Sequence, residues 1–212
     1  MMMNKRLKQL EGAFTEFAIN PLKRLIFGEK KIKNFDSLKN FVMERTAYVT
    51  QVTLNGYIRT RIGVMFVKTL DDQSFVKSIE IAKWNIYVIA LQDLLLFTFS
   101  YIYNKYGINE IERLNVLYEN ILIEQKVSGL DDEIKNKSLN EFNERLPNIN
   151  WQTYFKQEPF QKSCQALFYW APIAEHLKDL DKEIVFNSMI NQWKNVISDF
   201  AKLFEGIDGE GR

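Results

Sequence analysis

Between Asp36 and about Val67, apolar residues recur on two sides of a single helix. Leu38, Phe41, Val42, Val49 and Val52 form one side, and Met43, Ala47, Leu54, Ile58 and Met65 the other. A helix apolar on two faces must be covered on both, so this one is expected at the centre of a bundle, with Asp36 capping it. After a turn and cap at Asp71 and Asp72, a second long helix is predicted to about Tyr106, folding back antiparallel on the first and ending at Gly107.

Shorter segments flank this pair. From about Asn4 to Ala18, Leu7, Leu10, Phe14 and Phe17 recur at helical spacing, before Asn20 and Pro21 break the pattern. Asn109 is read as the cap of a helix to about Lys126, with Ile111, Leu114, Leu117, Ile121 and Leu122 on one face and Gly129 closing it. Residues 131–145 read as a more polar helix. The stretch from Pro147 to Glu158 reads as irregular and mobile, held down by Trp151, Tyr154 and Phe155. Pro159 suits a first helical position, Pro172 must interrupt the helix that follows, and Asp181 is read as the cap of a last helix running through Val185, Met189, Trp193, Val196 and Phe200. The fold predicted is all-α: a single-domain bundle of six or seven helices over residues 34–205, preceded by a basic amphipathic segment (1–33) and followed by a frayed tail (206–212).

Composition supports this and narrows the setting. Four prolines and nine glycines leave too little turn punctuation for an all-β chain. Cys164 is the only cysteine, which excludes an intramolecular disulfide and suits a reducing cytoplasm. Between Lys83 and Lys105 the only formal charge is Asp93. This resembles a membrane span, but Asn85, Gln92 and Asp93 interrupt it, and an aspartate near the centre of a span costs about 3 kcal/mol, so a buried core helix is the reading preferred.

The net charge of +1 is unevenly spread, because residues 1–33 alone carry +5. A basic amphipathic start offers a surface to an anionic membrane or an acidic partner, and the same pattern describes an ordinary solvated helix face. The rest of the chain shows no nucleic-acid reader motif, so nucleic acid is not an expected partner.

Catalytic signatures are mostly excluded by inventory. His176 is the only histidine, so histidine-based zinc and di-iron ligand sets cannot be assembled, and neither a metal nor a cofactor is predicted. The phosphate-loop, dinucleotide-turn and nucleophile-elbow patterns are missing. A nucleophilic dyad would have to use His176 as base, with Cys164 as the single thiol or one of several serines as nucleophile.

More informative are polar residues on helices that should be buried. Glu44, Tyr48, Gln51 and Asn55 form one stripe, and Arg45 and Arg59 fall among apolar neighbours. Folding the two long helices about Leu70 puts Arg59 beside Glu80 and Arg45 near Asp93. Glu80 and Asp93 point about 140° apart on a helix, so one straight partner cannot meet both, and Arg59 with Glu80 is the pairing favoured. Gly56, Thr60 and Gly63 share a stripe that suggests close approach of another backbone. The run Phe168, Tyr169, Trp170, with Trp151 and Tyr154 upstream, suggests a groove for a peptide or lipid chain, although such residues are more often core.

Three stretches, Phe41 to Gln51, Gly56 to Gly63 and Ser78 to Trp84, resemble a family of small helical proteins of alphaproteobacteria. That resemblance implies a bacterial cytoplasmic protein and carries no activity, cofactor or catalytic residue with it. The leading functional expectation is a non-enzymatic binding or adaptor protein with a protein partner, peripheral at the inner membrane surface through its basic start. The alternative is a hydrolase-like enzyme using a polar pocket formed by Glu44, Arg45, Tyr48, Gln51, Asn55, Arg59, Glu80 and Asp93, although such a cluster is more often a set of satisfied salt bridges that fixes helix register. A structural part of a homo-oligomer is a third reading.

Overall fold

The computed structural model describes residues 30–207, so the helix expected at Asn4 to Ala18 and the last residues of the tail lie outside the described residues. Within them, six helices of ten residues or more form an all-α bundle: α1 (Phe35–Ile62), α2 (Gln73–Tyr106), α3 (Arg113–Val127), α4 (Asp132–Arg145), α5 (Gln161–Trp170) and α6 (Glu175–Leu203).

Local chemistry sets most of the boundaries. Asn34 begins α1, accepting from the Ser37 amide (2.9 Å) while the Ser37 hydroxyl accepts from the Asn34 amide (3.1 Å). Asp36 is therefore not the cap; it sits in the first turn, where its charge complements the helix dipole. Asp72 caps α2 through the Ser74 amide (2.8 Å), and Gly107 ends it in the left-handed conformation at φ 68°. Asp131 caps α4. Asn109 caps nothing, since α3 begins after Glu112.

The bundle is organised around α2. Every residue from Ala82 to Ser100 except Ile89 is buried, so the helix is covered on nearly all sides. It packs on α1, α3, α4 and α5 and on the turn at Tyr154–Lys156, with its most extensive neighbour being α5 rather than α1. By length and composition α2 is long and apolar enough to cross a membrane, but most of its apolar stretch lies inside the bundle. One end of the core is a set of rings: Phe97, Tyr101 and Phe160 surround Phe200 and Trp193, with Phe160 stacked on Trp193 at 4.5 Å.

Several expectations of register are corrected. Arg59 is exposed and lies over the Phe66 ring, while Glu80 pairs with Lys83 on its own helix. Arg45 is buried, but its partner is Asp199 of α6 (3.0 Å). The glycine stripe does not pack: Gly56 and Gly63 have open space where a Cβ would stand, and Gly63 ends α1 with φ 59°. Asp181 is not a cap, since α6 starts six residues earlier. Its buried carboxylate receives the Arg61 guanidinium in a two-bond fork and the Tyr57 hydroxyl at 3.0 Å, clasping α6 to the end of α1.

The first and last described segments meet. Ile32 is buried, donates to the Leu203 carbonyl (2.8 Å) and accepts from the Glu205 amide (2.9 Å). Lys31 and Lys33 both pair with Glu205, so two charges of the basic segment are neutralised within the bundle. Beyond Gly206, Ile207 packs against the core.

Two outcomes follow. Gly56 is exposed with room for a methyl group, so Gly56→Ala is expected to stabilise the fold by about 1 kcal/mol in urea unfolding, and a loss of stability would show that the space beside it is not open. Arg61 holds the Asp181 carboxyl below the usual carboxylate range, so its stabilising effect is complete above about pH 4 and is lost as pH falls through the lowered value. Thermal midpoints followed into that acid window should therefore drop more steeply for the native chain than for Asp181→Asn.

Candidate functional site

Gln92 and Asp93 are adjacent polar residues in the middle of the most apolar helix, and each is fully committed. One Asp93 oxygen meets Arg145 at 2.6 Å, and the other accepts the Ser163 backbone amide at 2.8 Å. Ser163 lies in the first turn of α5, where amides have no partner inside the helix, and Phe160 gives no side-chain cap. Asp93 thus caps α5 from a different helix, its negative charge facing the positive end of the dipole. Arg145 is the last residue of α4, where a cation suits the opposite end of that helix.

A closed network spreads from this pair. Arg145 also donates to the Gln92 oxygen (2.8 Å) and the Tyr154 hydroxyl (3.2 Å). Gln92 donates from its amide to the Tyr118 hydroxyl (3.1 Å) and the Ser138 carbonyl (3.0 Å), and Tyr118 donates to the Val88 carbonyl. Trp193 donates to the Ser163 hydroxyl at 3.1 Å. Burial pushes the Asp93 carboxyl upward, while Arg145 and the Ser163 amide pull against it. The Tyr154 phenol is pushed up to about 12 by burial and by the nearby Asp93 charge, so it stays protonated and donates to the Pro159 carbonyl (3.2 Å).

Directly outside this network a cleft of about 850 Å3 opens between α4 and α5. Gln92 and Arg145 form its floor, together with Ile89, the one incompletely buried residue in the middle of α2. Glu141 and Glu144 of α4 line it, Glu158 and Lys162 bound it, and Tyr154, Tyr169 and Trp170 supply aromatic surface. The segment from Pro147 to Glu158, expected to be mobile, is pinned to α2: Ser100 donates to the Trp151 carbonyl (2.7 Å) and accepts from the Phe155 amide (3.1 Å), and Asn104 donates to the Gln152 carbonyl (3.0 Å). Glu158 has φ 44°, the one non-glycine residue with positive φ among the described residues, and it precedes Pro159. Both features disfavour this conformation in an ordinary residue.

The residues singled out in the sequence do not converge. Asp93 joins the cleft network, whereas Arg45 and Tyr48 line a smaller groove of about 320 Å3 beside α6. Gln51 lies near Lys83, Trp84 and Tyr87, Asn55 is half-buried, and Glu44 and Arg59 are on the surface. Cys164 is buried against α6, its thiol pushed up to about 12 by burial, and His176 is exposed on the first turn of α6, so these two residues form no dyad. Among the described residues, no group of three or more histidine, cysteine or carboxylate side chains is placed to hold a metal ion. Sequence reasoning missed Arg145, Gln92, Tyr154 and the three glutamates as one site. The available signal was a Gln-Asp pair inside an apolar helix, which requires a cation from somewhere.

No family model, curated protein or solved structure matches the chain.

Arg145 and Asp93 are almost entirely removed from solvent, their side chains 9% and 0% exposed, so breaking the pair leaves a charge stranded. Arg145→Ala is expected to cost about 3–5 kcal/mol in urea unfolding. Asp93→Leu combined with Arg145→Met should cost less than Arg145→Ala alone, and a double variant as damaging as the sum of the single ones would show that the stranded charge is not the cause.

Proposed function

We propose that this chain is a non-enzymatic binding protein whose cleft between α4 and α5 receives a cationic, partly apolar segment of a protein partner. The observation that supports this is the division of labour within the cleft. The charge in its floor, Arg145, is met by Asp93 buried beneath it, so it offers rigidity rather than a free acid or base. Its lining instead carries Glu141, Glu144 and Glu158 against a single further cation, Lys162, together with aromatic and aliphatic surface from Tyr154, Tyr169, Trp170, Ile89 and Ile149. Carboxylates beside exposed rings select a ligand bearing both positive charge and apolar groups. The cleft's volume is at the upper end of what small-molecule pockets provide, which suits several consecutive side chains.

Backbone strain at Glu158 supports the same reading. A non-glycine residue held at φ 44° costs roughly 1 kcal/mol or more, and such strain tends to persist where a side chain is needed in a particular place. Here it presents a carboxylate at the cleft mouth.

A lysine- and leucine-containing amphipathic peptide is expected to bind saturably, measured by fluorescence anisotropy, with an affinity that falls as salt rises. The combined variant E141Q, E144Q and E158Q should weaken binding at least tenfold, and a glutamate-for-lysine control peptide should not bind. Equal binding of the two peptides would end the proposal. Glu158→Gly makes a sharper test, because it should raise stability by about 1 kcal/mol while lowering peptide affinity.

A further inference from the structure

Tyr169 and Trp170, the last two residues of α5, meet almost at a right angle: their ring centroids are 5.2 Å apart and their planes 85° apart. Both line the cleft that Glu141, Glu144 and Glu158 also line. Trp170 is half-buried and packs in part against the core, and Tyr169 stands free of it. Phe168, one residue earlier, takes the inward position against Phe186, whereas Tyr169 is 72% exposed. The chain leaves Ala171 and Pro172 directly behind them, which ends the helix and fixes the corner at the cleft edge.

Two perpendicular ring faces beside carboxylates have a definite chemical preference. Each face attracts positive charge through its quadrupole, and each is apolar. A bare lysine ammonium is compact and strongly hydrated, and its protons are best used on carboxylates. An alkylated ammonium has lost those donors and spreads its charge over methyl groups, so ring faces become its best partners. The nearby cations are already engaged or stand apart. Lys178 donates to the Tyr169 carbonyl (2.8 Å) and pairs with Glu175 (2.9 Å), while Lys162 is exposed on the opposite end of α5.

We propose that Tyr169 and Trp170 form two walls of a subsite for an alkylated ammonium group, with the glutamates of the cleft balancing its charge. This subsite rests on the cleft being the binding surface, and it adds a chemical preference within that surface. The same head group occurs on a trimethylated lysine side chain and in free choline, so both sources enter the test.

The experiment follows the indole N–H signal of Trp170 in the full chain, assigned by its disappearance in Trp170→Phe. Choline is titrated against its neutral carbon isostere, 3,3-dimethylbutan-1-ol, and a lysine-rich amphipathic peptide against the same peptide with one trimethyllysine. Choline should shift the Trp170 signal saturably and bind at least tenfold more tightly than the isostere. Tyr169→Leu and Trp170→Ala should abolish that preference, read for the latter by calorimetry, while Tyr169→Phe and Trp170→Phe keep it within a few-fold. A trimethylated peptide binding more tightly than both choline and the unmodified peptide identifies the source as a peptide side chain, and choline binding as tightly as that peptide identifies a free ammonium compound. Equal binding of choline and the isostere, or no movement of Trp170 while the unmodified peptide still binds, overturns the subsite and leaves the cleft proposal standing. Absence of binding by either peptide and by choline overturns both.

Discussion

The Asp93 carboxylate is the constraint on which the rest of this bundle depends. It sits at the centre of a helix that is otherwise covered by apolar side chains, and desolvating it there would be prohibitive without compensation on both oxygens. The two compensating groups come from different elements: the last residue of α4 and the first turn of α5. Satisfying one buried charge therefore fixes where two helices end and begin. The cost of burial is offset by geometry that no apolar residue would supply, because a leucine at this position could pack but could not specify which helix terminus arrives.

The cleft is a by-product of that arrangement. Helix termini that converge on one point of α2 must diverge away from it, and the wedge between α4 and α5 is bridged by the segment from Leu146 to Phe160 rather than filled by a side chain. That segment has little regular structure of its own, yet its carbonyls and amides are held by Ser100 and Asn104, polar residues on the far part of α2. The walls are consequently fixed by three separate anchors along one helix. A pre-formed cleft of this kind loses little conformational entropy when a ligand enters, so modest contacts are enough for useful affinity.

How much of this could be read in the sequence depended on the range of the interaction. The second long helix, its Asp72 cap and its Gly107 stop are determined by neighbouring residues and were legible. So was the interruption at Pro172, where the chain cannot donate. Asp36 and Asp181 were misread for the same reason: an aspartate near a helix start looks like a cap, but Asn34 with Ser37 forms the reciprocal pair at α1, and Asp181 is claimed by Arg61 and Tyr57 more than a hundred residues away. The buried polar residues of α2 correctly signalled that a cation was required. Its identity was not legible, because searching for it along α1 followed the register of two helices, whereas Arg145 comes from the end of a polar helix that the hydrophobic pattern barely marked.

The charged residues divide into two kinds, by whether the fold buries them against a partner. Arg45 with Asp199, and Arg61 with Asp181, join α1 to α6 along its length, and Arg145 with Asp93 joins α4 to α2. In these pairs each charge is met by its opposite within the fold, so what they contribute is register, and replacing them would alter stability before anything else. Glu141, Glu144 and Glu158 are different: all three line the cleft, Glu141 with only a long, exposed pairing to Lys137 at 3.9 Å, and Glu158 is held there by a backbone conformation that costs free energy. Glu158 bonds to Gln161 at 3.2 Å, a contact a neutral side chain would also make, so that hydrogen bond does not explain why a charged residue stands at φ 44°. Strain of this kind is what the proposed binding at the cleft mouth would account for, since a ligand there would use the carboxylate that the backbone holds in place.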